Sequence, residues 1–221
     1  LIELGKELKL WNRGLGYEHY CRSQLFPGIQ LDARAVLDIG CGSGIYSAWA
    51  AVHGAKKVIS LEPSTSGSGP ASPVETLKII REKLHFDSIT IKEDTFQAYP
   101  GEKNCFDIIL LHYSINHLEE EKCITLQENQ ESRTIYRDLF KKMLSMLKEG
   151  GKIVMVDCTN RSFWSDLGMI NPFAPSIEWF KHQPPEIWLS IMTSAGFRDP
   201  KVSWIYDNRM LHAGKLLQNR I

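Results

Sequence analysis

The sequence predicts an α/β protein built on a doubly wound, mostly parallel sheet. Three observations carry that expectation. The run Val36-Leu37-Asp38-Ile39-Gly40-Cys41-Gly42-Ser43-Gly44 reads as a buried strand, an acidic residue near its tip, and a glycine turn into a helix. From residue 35 onward, short apolar runs alternate with amphipathic helical patterns, the signature of βαβ units. Phe106–Leu111 is continuously apolar after Asp107, as a strand covered on both faces should be.

Each element follows from local pattern. Residues 1–26 read as amphipathic helix in two pieces broken between Asn12 and Gly16, with Leu4, Leu8 and Trp11 at helical spacing and Pro27-Gly28 ending the region. Ala35–Ile39 is the first strand. Ile45–His53 is a helix with Ala48, Ala50 and Ala51 for close packing, stopped by Gly54. Lys57–Leu61 is the second strand, and Pro63 to Pro73 a Ser/Gly/Pro/Thr-rich loop. Val74–His85 is a helix, Ser88–Ile91 the third strand and Phe106–Leu111 the fourth. Arg133–Lys148 is the clearest helix: Ile135, Tyr136, Leu139, Phe140, Met143, Leu144 and Leu147 keep the 3.6 period until Gly150-Gly151. Lys152–Val156 is the fifth strand. Pro184-Pro185 opens a helix that Gly196 closes, because proline is tolerated at the first helical positions. Lys201–Tyr206 and Lys215–Leu217 are expected as final strands. The expected organisation is a helical cap over 1–30 and one binding domain over 31–221.

Bulk properties narrow the function. The 26 Lys+Arg balance the 26 Asp+Glu, so the basic surplus usual in nucleic-acid binders is missing and no nucleic-acid partner is expected. No apolar run approaches the roughly 18 residues needed to span a membrane. Cysteines 21, 41, 105, 123 and 158 are odd in number, irregularly spaced and without C-x-x-C. That pattern fits reduced thiols in a cytoplasmic setting and suggests neither a disulfide framework nor a metal site.

The glycine spacing decides which nucleotide the turn suits. A dinucleotide site wants G-x-G-x-x-G, and here the third glycine comes one place early, with Ile45 where it should stand. Asp38 would also face a pyrophosphate with a like charge, whereas a cationic ligand would be favoured. Both features argue against a dehydrogenase. Glu62 ends the second strand, where a carboxylate can accept from a ribose diol. The third strand runs into Lys92-Glu93-Asp94-Thr95-Phe96, where an acid can accept from an adenine amine and an apolar side chain can pack on the ring.

In this order, Val36 to Gly44, Glu62, Asp94, Phe106 to Leu111, His117-Leu118, Leu147-Lys148-Glu149-Gly150-Gly151 and Ala195-Gly196-Phe197 resemble the class I S-adenosylmethionine (SAM) methyltransferases of small-molecule type. The resemblance spans roughly residues 35–200. It implies a Rossmann-like sheet of seven strands with the last antiparallel. It also implies SAM as cofactor, S-adenosylhomocysteine as product and a small-molecule methyl acceptor at oxygen, nitrogen or carbon. The cofactor residues it implies are Asp38, Gly40, Cys41, Gly42, Gly44, Glu62, Asp94, Thr95 and Leu111. An RNA or protein methyltransferase, or a silent SAM-binding subunit, is the alternative. No N-P-P-Y-like tetrad follows the fourth strand.

Methyl transfer needs a base only when the acceptor must lose a proton. His117 and Asp157, after the fourth and fifth strands, are the catalytic candidates. His117 could instead be a histidine bonded to a backbone carbonyl, and Asp157 could orient a substrate or cap the following turn through Asn160. If residues 112–117 are helical, His112 and Asn116 share a face and His117 points away. The segment from Phe163 to Trp188 holds Phe163, Trp164, Phe173, Trp179, Phe180 and Trp188. Aromatics with a few polar groups suit a small organic acceptor, or simply anchor a long loop. Tyr17, Tyr20, His112, Trp179 and His182 are the substrate candidates.

Overall fold

The computed structural model describes residues 1–10, 14–63, 73–161, 163–170, 175 and 177–204. They fall into two compact units, one of Leu1–Leu118 with Ser145–Val156 and one of Glu119–Leu144 with Asp157 onward.

The first unit is built on a parallel sheet of five strands. These are β1 (Ala35–Ile39), β2 (Lys57–Leu61), β3 (Ile89–Lys92), β4 (Phe106–His112) and β5 (Leu147–Val156), in the order β3-β2-β1-β4-β5. The chain winds outward from β1 to β3, then returns to the other side of β1. The sheet is therefore doubly wound, with its switch point between β1 and β4. Every residue of β1 is buried, as expected of the central strand of a covered sheet. Its last residue, Ile39, pairs with Leu61 on one side and Leu111 on the other. Three strand ends thus converge where the glycine turn begins.

Helices α1 (Ile2–Glu7), α2 (Gly14–Tyr20), α3 (Ile45–Val52) and α4 (Pro73–Lys83) belong to this unit. Leu4 of α1, Ala48 of α3 and Ile80 of α4 form one buried cluster, joined by Leu1, Leu8, Leu10, Ile45, Leu84 and Phe86. Ala48 and Ala50 are fully buried, and their small side chains let α3 lie close to the sheet. α2 runs directly into a π-helical turn, Cys21–Leu25, closed by Phe26 N–H donating to the Cys21 carbonyl at 2.9 Å.

The second unit contains α5 (Glu120–Ile124), most of α6 (Gln130–Met146), α7 (Phe163–Asp166), a single 3-10 turn (Trp179–Lys181) and α8 (Pro185–Ala195). Its core is aromatic. Tyr136 and Phe140 of α6 meet Trp188 of α8 with ring centroids 5.3 and 6.3 Å apart, and Phe140 meets Phe197 at 6.1 Å. Gly196, at φ +107, ends α8 in a conformation a β-carbon would strain.

Several expectations change. The described sheet has five strands, all parallel. Residues 201–204 form no strand among the described residues, and the rest of the last expected hairpin lies outside them. β5 begins at Leu147, paired with Phe106, before the glycines expected to precede it. Gly150 at φ +72 absorbs the extra residues in a bulge, after which Lys152 pairs with Ile108. The segment after β4 is not a helix in phase with it. His112 closes the strand and Ile115–His117 is one 3-10 turn, so the helical face shared by His112 and Asn116 does not exist. Trp11 and Asn12, and the loop over 64–72, lie outside the described residues. All five cysteines are free thiols.

Candidate functional site

The glycine turn hangs from the end of β2. The N–H groups of Gly40 and Cys41 both donate to the Leu61 carbonyl, at 2.9 and 3.0 Å. Gly40, Gly42 and Gly44 all have positive φ, at +67, +54 and +71. Their missing side chains serve three different ends. A β-carbon on Gly40 would lie 2.5 Å from Ser114 Cβ, and Ser114 Oγ donates to the Ile39 carbonyl at 2.6 Å. A β-carbon on Gly44 would collide with the Leu77 side chain. One on Gly42 would meet nothing within 4 Å. Gly40 and Gly44 are therefore needed for packing, and Gly42 alone opens the turn to a ligand.

Two carboxylates flank this opening. Glu62, buried at the end of β2, accepts from the Gly42 N–H at 2.7 Å and so holds the turn in shape. Asp38 of β1 is 1% exposed. Its Oδ2 accepts from Ser47 Oγ at 2.7 Å, while its Oδ1 is buried with no hydrogen-bond partner among the described residues. Ser60 Oγ lies 2.7 Å from Ser47 Oγ, and because Ser47 already donates to Asp38, Ser60 donates to Ser47. Burial pushes Asp38 up to about 7, opposed by its bonds to Ser47 and reinforced by the charge of Glu62. An unpaired oxygen on a carboxylate so poised is a place for a cation. Ser47 and Ser60 were missed by sequence reasoning. The available signal was a lone serine inside an apolar helix and another inside an apolar strand.

An aromatic cluster adjoins the turn. Tyr17 of α2 donates its hydroxyl to the Ile45 carbonyl at 2.6 Å, tying α2 to the start of α3. Tyr20 Oη lies 2.8 Å from His112 Nε2 at the end of β4. Burial pushes His112 down to about 4, so the ring is neutral near pH 7. Tyr46, in the first turn of α3, packs against His112 with centroids 4.1 Å apart and the rings tilted by 40°. Next to it, Tyr113 holds φ +54, in the left-handed region that favours glycine. Tyr46 and Tyr113 were not among the sequence candidates.

The remaining cofactor candidates are placed unevenly. Leu111 is fully buried at the carboxyl end of β4 and Cys41 is buried in the turn. Asp94 and Thr95 are exposed after β3, with Thr95 Oγ1 accepting from the Ala98 N–H at 3.2 Å, and Phe96 is buried. His117 is exposed, 3.5 Å from the Asn116 amide.

In the second unit, Asp157 Oδ1 lies 2.9 Å from His182 Nδ1, with the two side chains 5% and 11% exposed. The pairing is with His182 and not with Asn160, whose Oδ1 is buried without a partner among the described residues. Trp179 stands 6.3 Å from His182, centroid to centroid. Asp157 Oδ2 and Trp179 Nε1 are buried without partners among the described residues. The structure thus joins three residues that the sequence offered separately. Among the described residues, no cluster of three His, Cys, Asp or Glu could hold a metal ion, and no helix is long and apolar enough to cross a membrane.

Comparison with known proteins agrees with this geometry. Residues 17–201 match the family model described as a methyltransferase domain. No curated protein matches the sequence. The fold is similar to a putative S-adenosylmethionine-dependent methyltransferase from Listeria monocytogenes, with 15% identity, 93% of this chain and 95% of that one covered, and a TM-score of 0.61. It is similar to a second such enzyme from Mesorhizobium loti, with 17% identity, coverage of 83% and 84%, and a TM-score of 0.56. The [4+2]-cyclase SpnF is also similar, at 17% identity and a TM-score of 0.55 over 82% of this chain, which spans 55% of the cyclase.

Proposed function

Because this chain belongs to the methyltransferase-domain family, with S-adenosylmethionine as its methyl donor, we propose that it methylates a small organic acceptor at oxygen, nitrogen or carbon. One observation carries the donor site: the buried, half-paired carboxylate of Asp38 in the strand that leads into the open face of Gly42. That oxygen would receive the donor's ammonium, directly or through water, and Gly42 gives close approach. Glu62, having fixed the turn, would take the ribose. Asp94, exposed beyond β3, would take the adenine amine with Thr95 beside it. Gly40, Cys41, Gly44 and Leu111 complete the cradle, and the helices over residues 1–30 cap it.

The bound donor supplies a methyl group on a sulfonium whose departure as a neutral thioether needs no acid. The protein's part is alignment and the exclusion of water. Where the acceptor must lose a proton, His182 is the better-built base. Asp157 holds its Nδ1 and leaves Nε2 to accept, making Asp157 the positioning residue. His117 is exposed beside Asn116, and substrate contact is the role we assign it. The balanced charge of the chain and the aromatics from Phe163 to Trp188 favour a small acceptor over RNA.

The test is transfer of labelled methyl from SAM in extracts fractionated into metabolites, protein and RNA. Label in the metabolite fraction supports the reading. Label confined to protein or RNA overturns the acceptor class. Calorimetric absence of SAM binding overturns the donor site.

A further inference from the structure

Two buried serines stand behind Asp38, and the mechanism above gives them no task. Asp38 and Ser60 are register partners on β1 and β2, so their side chains leave the same face of the sheet. Ser47 of α3 bridges them. Its hydroxyl donates to Asp38 Oδ2 at 2.7 Å and accepts from Ser60 Oγ at 2.7 Å. Asp38, Ser47 and Ser60 are 1%, 0% and 0% exposed, and the chain neighbours Leu37, Ile39, Ala48, Ile59 and Leu61 are buried and apolar. Burying two hydroxyls in such a setting costs free energy unless they are bonded, so an apolar side chain at either position would be the simpler core. Both serines serve the same oxygen. The relay ends on Oδ2, while Oδ1 is buried without a partner among the described residues. Hydroxyls placed only to seal the carboxylate into the core would be expected to satisfy both oxygens.

Resting on the donor site proposed above, we propose that Ser47, backed by Ser60, is a positioning residue for the methyl donor, holding the Asp38 carboxylate by Oδ2 and leaving Oδ1 for the donor's ammonium. A buried carboxyl tends to keep its proton, and a protonated one has lost the charge that draws an ammonium. A hydroxyl donated to the ionised form counters that tendency. Burial pushes Asp38 up and the Ser47 hydroxyl pulls it back, leaving it at about 7. The other groups facing Asp38 come from each element around it. Glu62, at the end of β2, adds a like charge. Cys41 of the turn, Tyr17 of α2 and Tyr46 of α3 are all held above their ordinary values by burial, so they stay neutral between about pH 6 and pH 9 and do not compete with Asp38 there. Ser47 therefore sets the pH above which the donor site carries its negative charge.

The experiment is calorimetric titration of the wild type, Ser47→Ala and Ser60→Ala with SAM between about pH 6 and pH 9, with thermal melting as a fold check. Dividing each variant's Kd by that of the wild type at the same pH cancels the ligand's own titration. Without the Ser47 hydroxyl, Asp38 ionises about 1 to 2 pH units later, so the Kd ratio should be about 10- to 100-fold near pH 6 and fall to about twofold or less near pH 9. Ser60→Ala, which removes only the bond behind Ser47, should follow the same trend at about 2- to 5-fold near pH 6. If Ser47→Ala fails to fold, the trend in Ser60→Ala decides. A ratio that stays the same across the range, whether at one or above it, overturns the positioning role while leaving the donor site standing. Failure of the wild type to bind SAM overturns the donor site and the positioning role together.

Discussion

Replacing Asp38 by Asn should reverse its effect on stability as pH rises. Asp38 is 1% exposed, and burial lifts its pKa from 3.8 to about 7. Roughly three pKa units at about 1.36 kcal/mol each is about 4 kcal/mol held against the ionised form in the ligand-free fold. The sign follows from linkage. A carboxyl whose folded pKa is raised contributes most below its unfolded value near 4 and loses that contribution as pH climbs through about 7. Asn never ionises, so it escapes this loss. It leaves a buried N–H₂ where Oδ1 now has no partner, at a cost of about 1–3 kcal/mol. The ligand-free variant should therefore be about 1–3 kcal/mol less stable than wild type near pH 4, and more stable by a similar amount at pH 8. Urea unfolding at both pH values measures the crossing. The same exchange should weaken SAM binding at least about tenfold, because the carboxylate that would meet its cationic end is gone. SAM binding by wild type near pH 7 should release a proton, detectable by calorimetry in two buffers of different ionisation heat. A variant less stable than wild type at pH 8, or one with unchanged SAM affinity, would refute the reasoning.

Other substitutions test other parts of the site. Gly40→Ala forces a β-carbon to within 2.5 Å of Ser114 Cβ at a positive φ, and should cost about 2–4 kcal/mol in urea melts. Preserved stability would mean that the turn relaxes freely. Glu62→Ala removes the 2.7 Å bond to the Gly42 N–H, so it should lose about 1.5–3 kcal/mol of stability as well as SAM affinity. A loss of affinity alone would show that the turn holds its shape without Glu62. Tyr17→Phe keeps the ring and loses the 2.6 Å bond to the Ile45 carbonyl, for about 1 kcal/mol by thermal melting. His182→Ala leaves Asp157 buried with neither oxygen bonded, and should cost about 3 kcal/mol by the same measure. No change would mean that water already satisfies the carboxylate.

How far the sequence carries the site depends on how local each feature is. Ala35–Ile39 and Lys57–Leu61 have the bounds their apolar runs predict, because strand and turn patterns are written in adjacent residues. The alternation of strand and helix required a parallel sheet, and the positive φ of Gly40, Gly42 and Gly44 was implicit in their crowding. The start of β5 was not legible. Leu147 joins the sheet by pairing with Phe106, a choice the neighbouring strand makes and the helical period of α6 conceals. For the same reason Glu62 looked like a free ligand for ribose, although it also supports Gly42.

The sequence by itself determined that a buried strand, bearing Asp38, would turn through glycines into a helix, and that Glu62 and Asp94 would end the next two strands. Those are consequences of side-chain periodicity and of glycine's conformational freedom, both local. Only the tertiary structure decided which glycine faces open space, that Ser47 bonds one Asp38 oxygen, that Tyr20 meets His112, and that Asp157 meets His182. Each of these depends on strand register or helix placement between residues from nine to 92 positions apart, set by packing that no short stretch of sequence encodes.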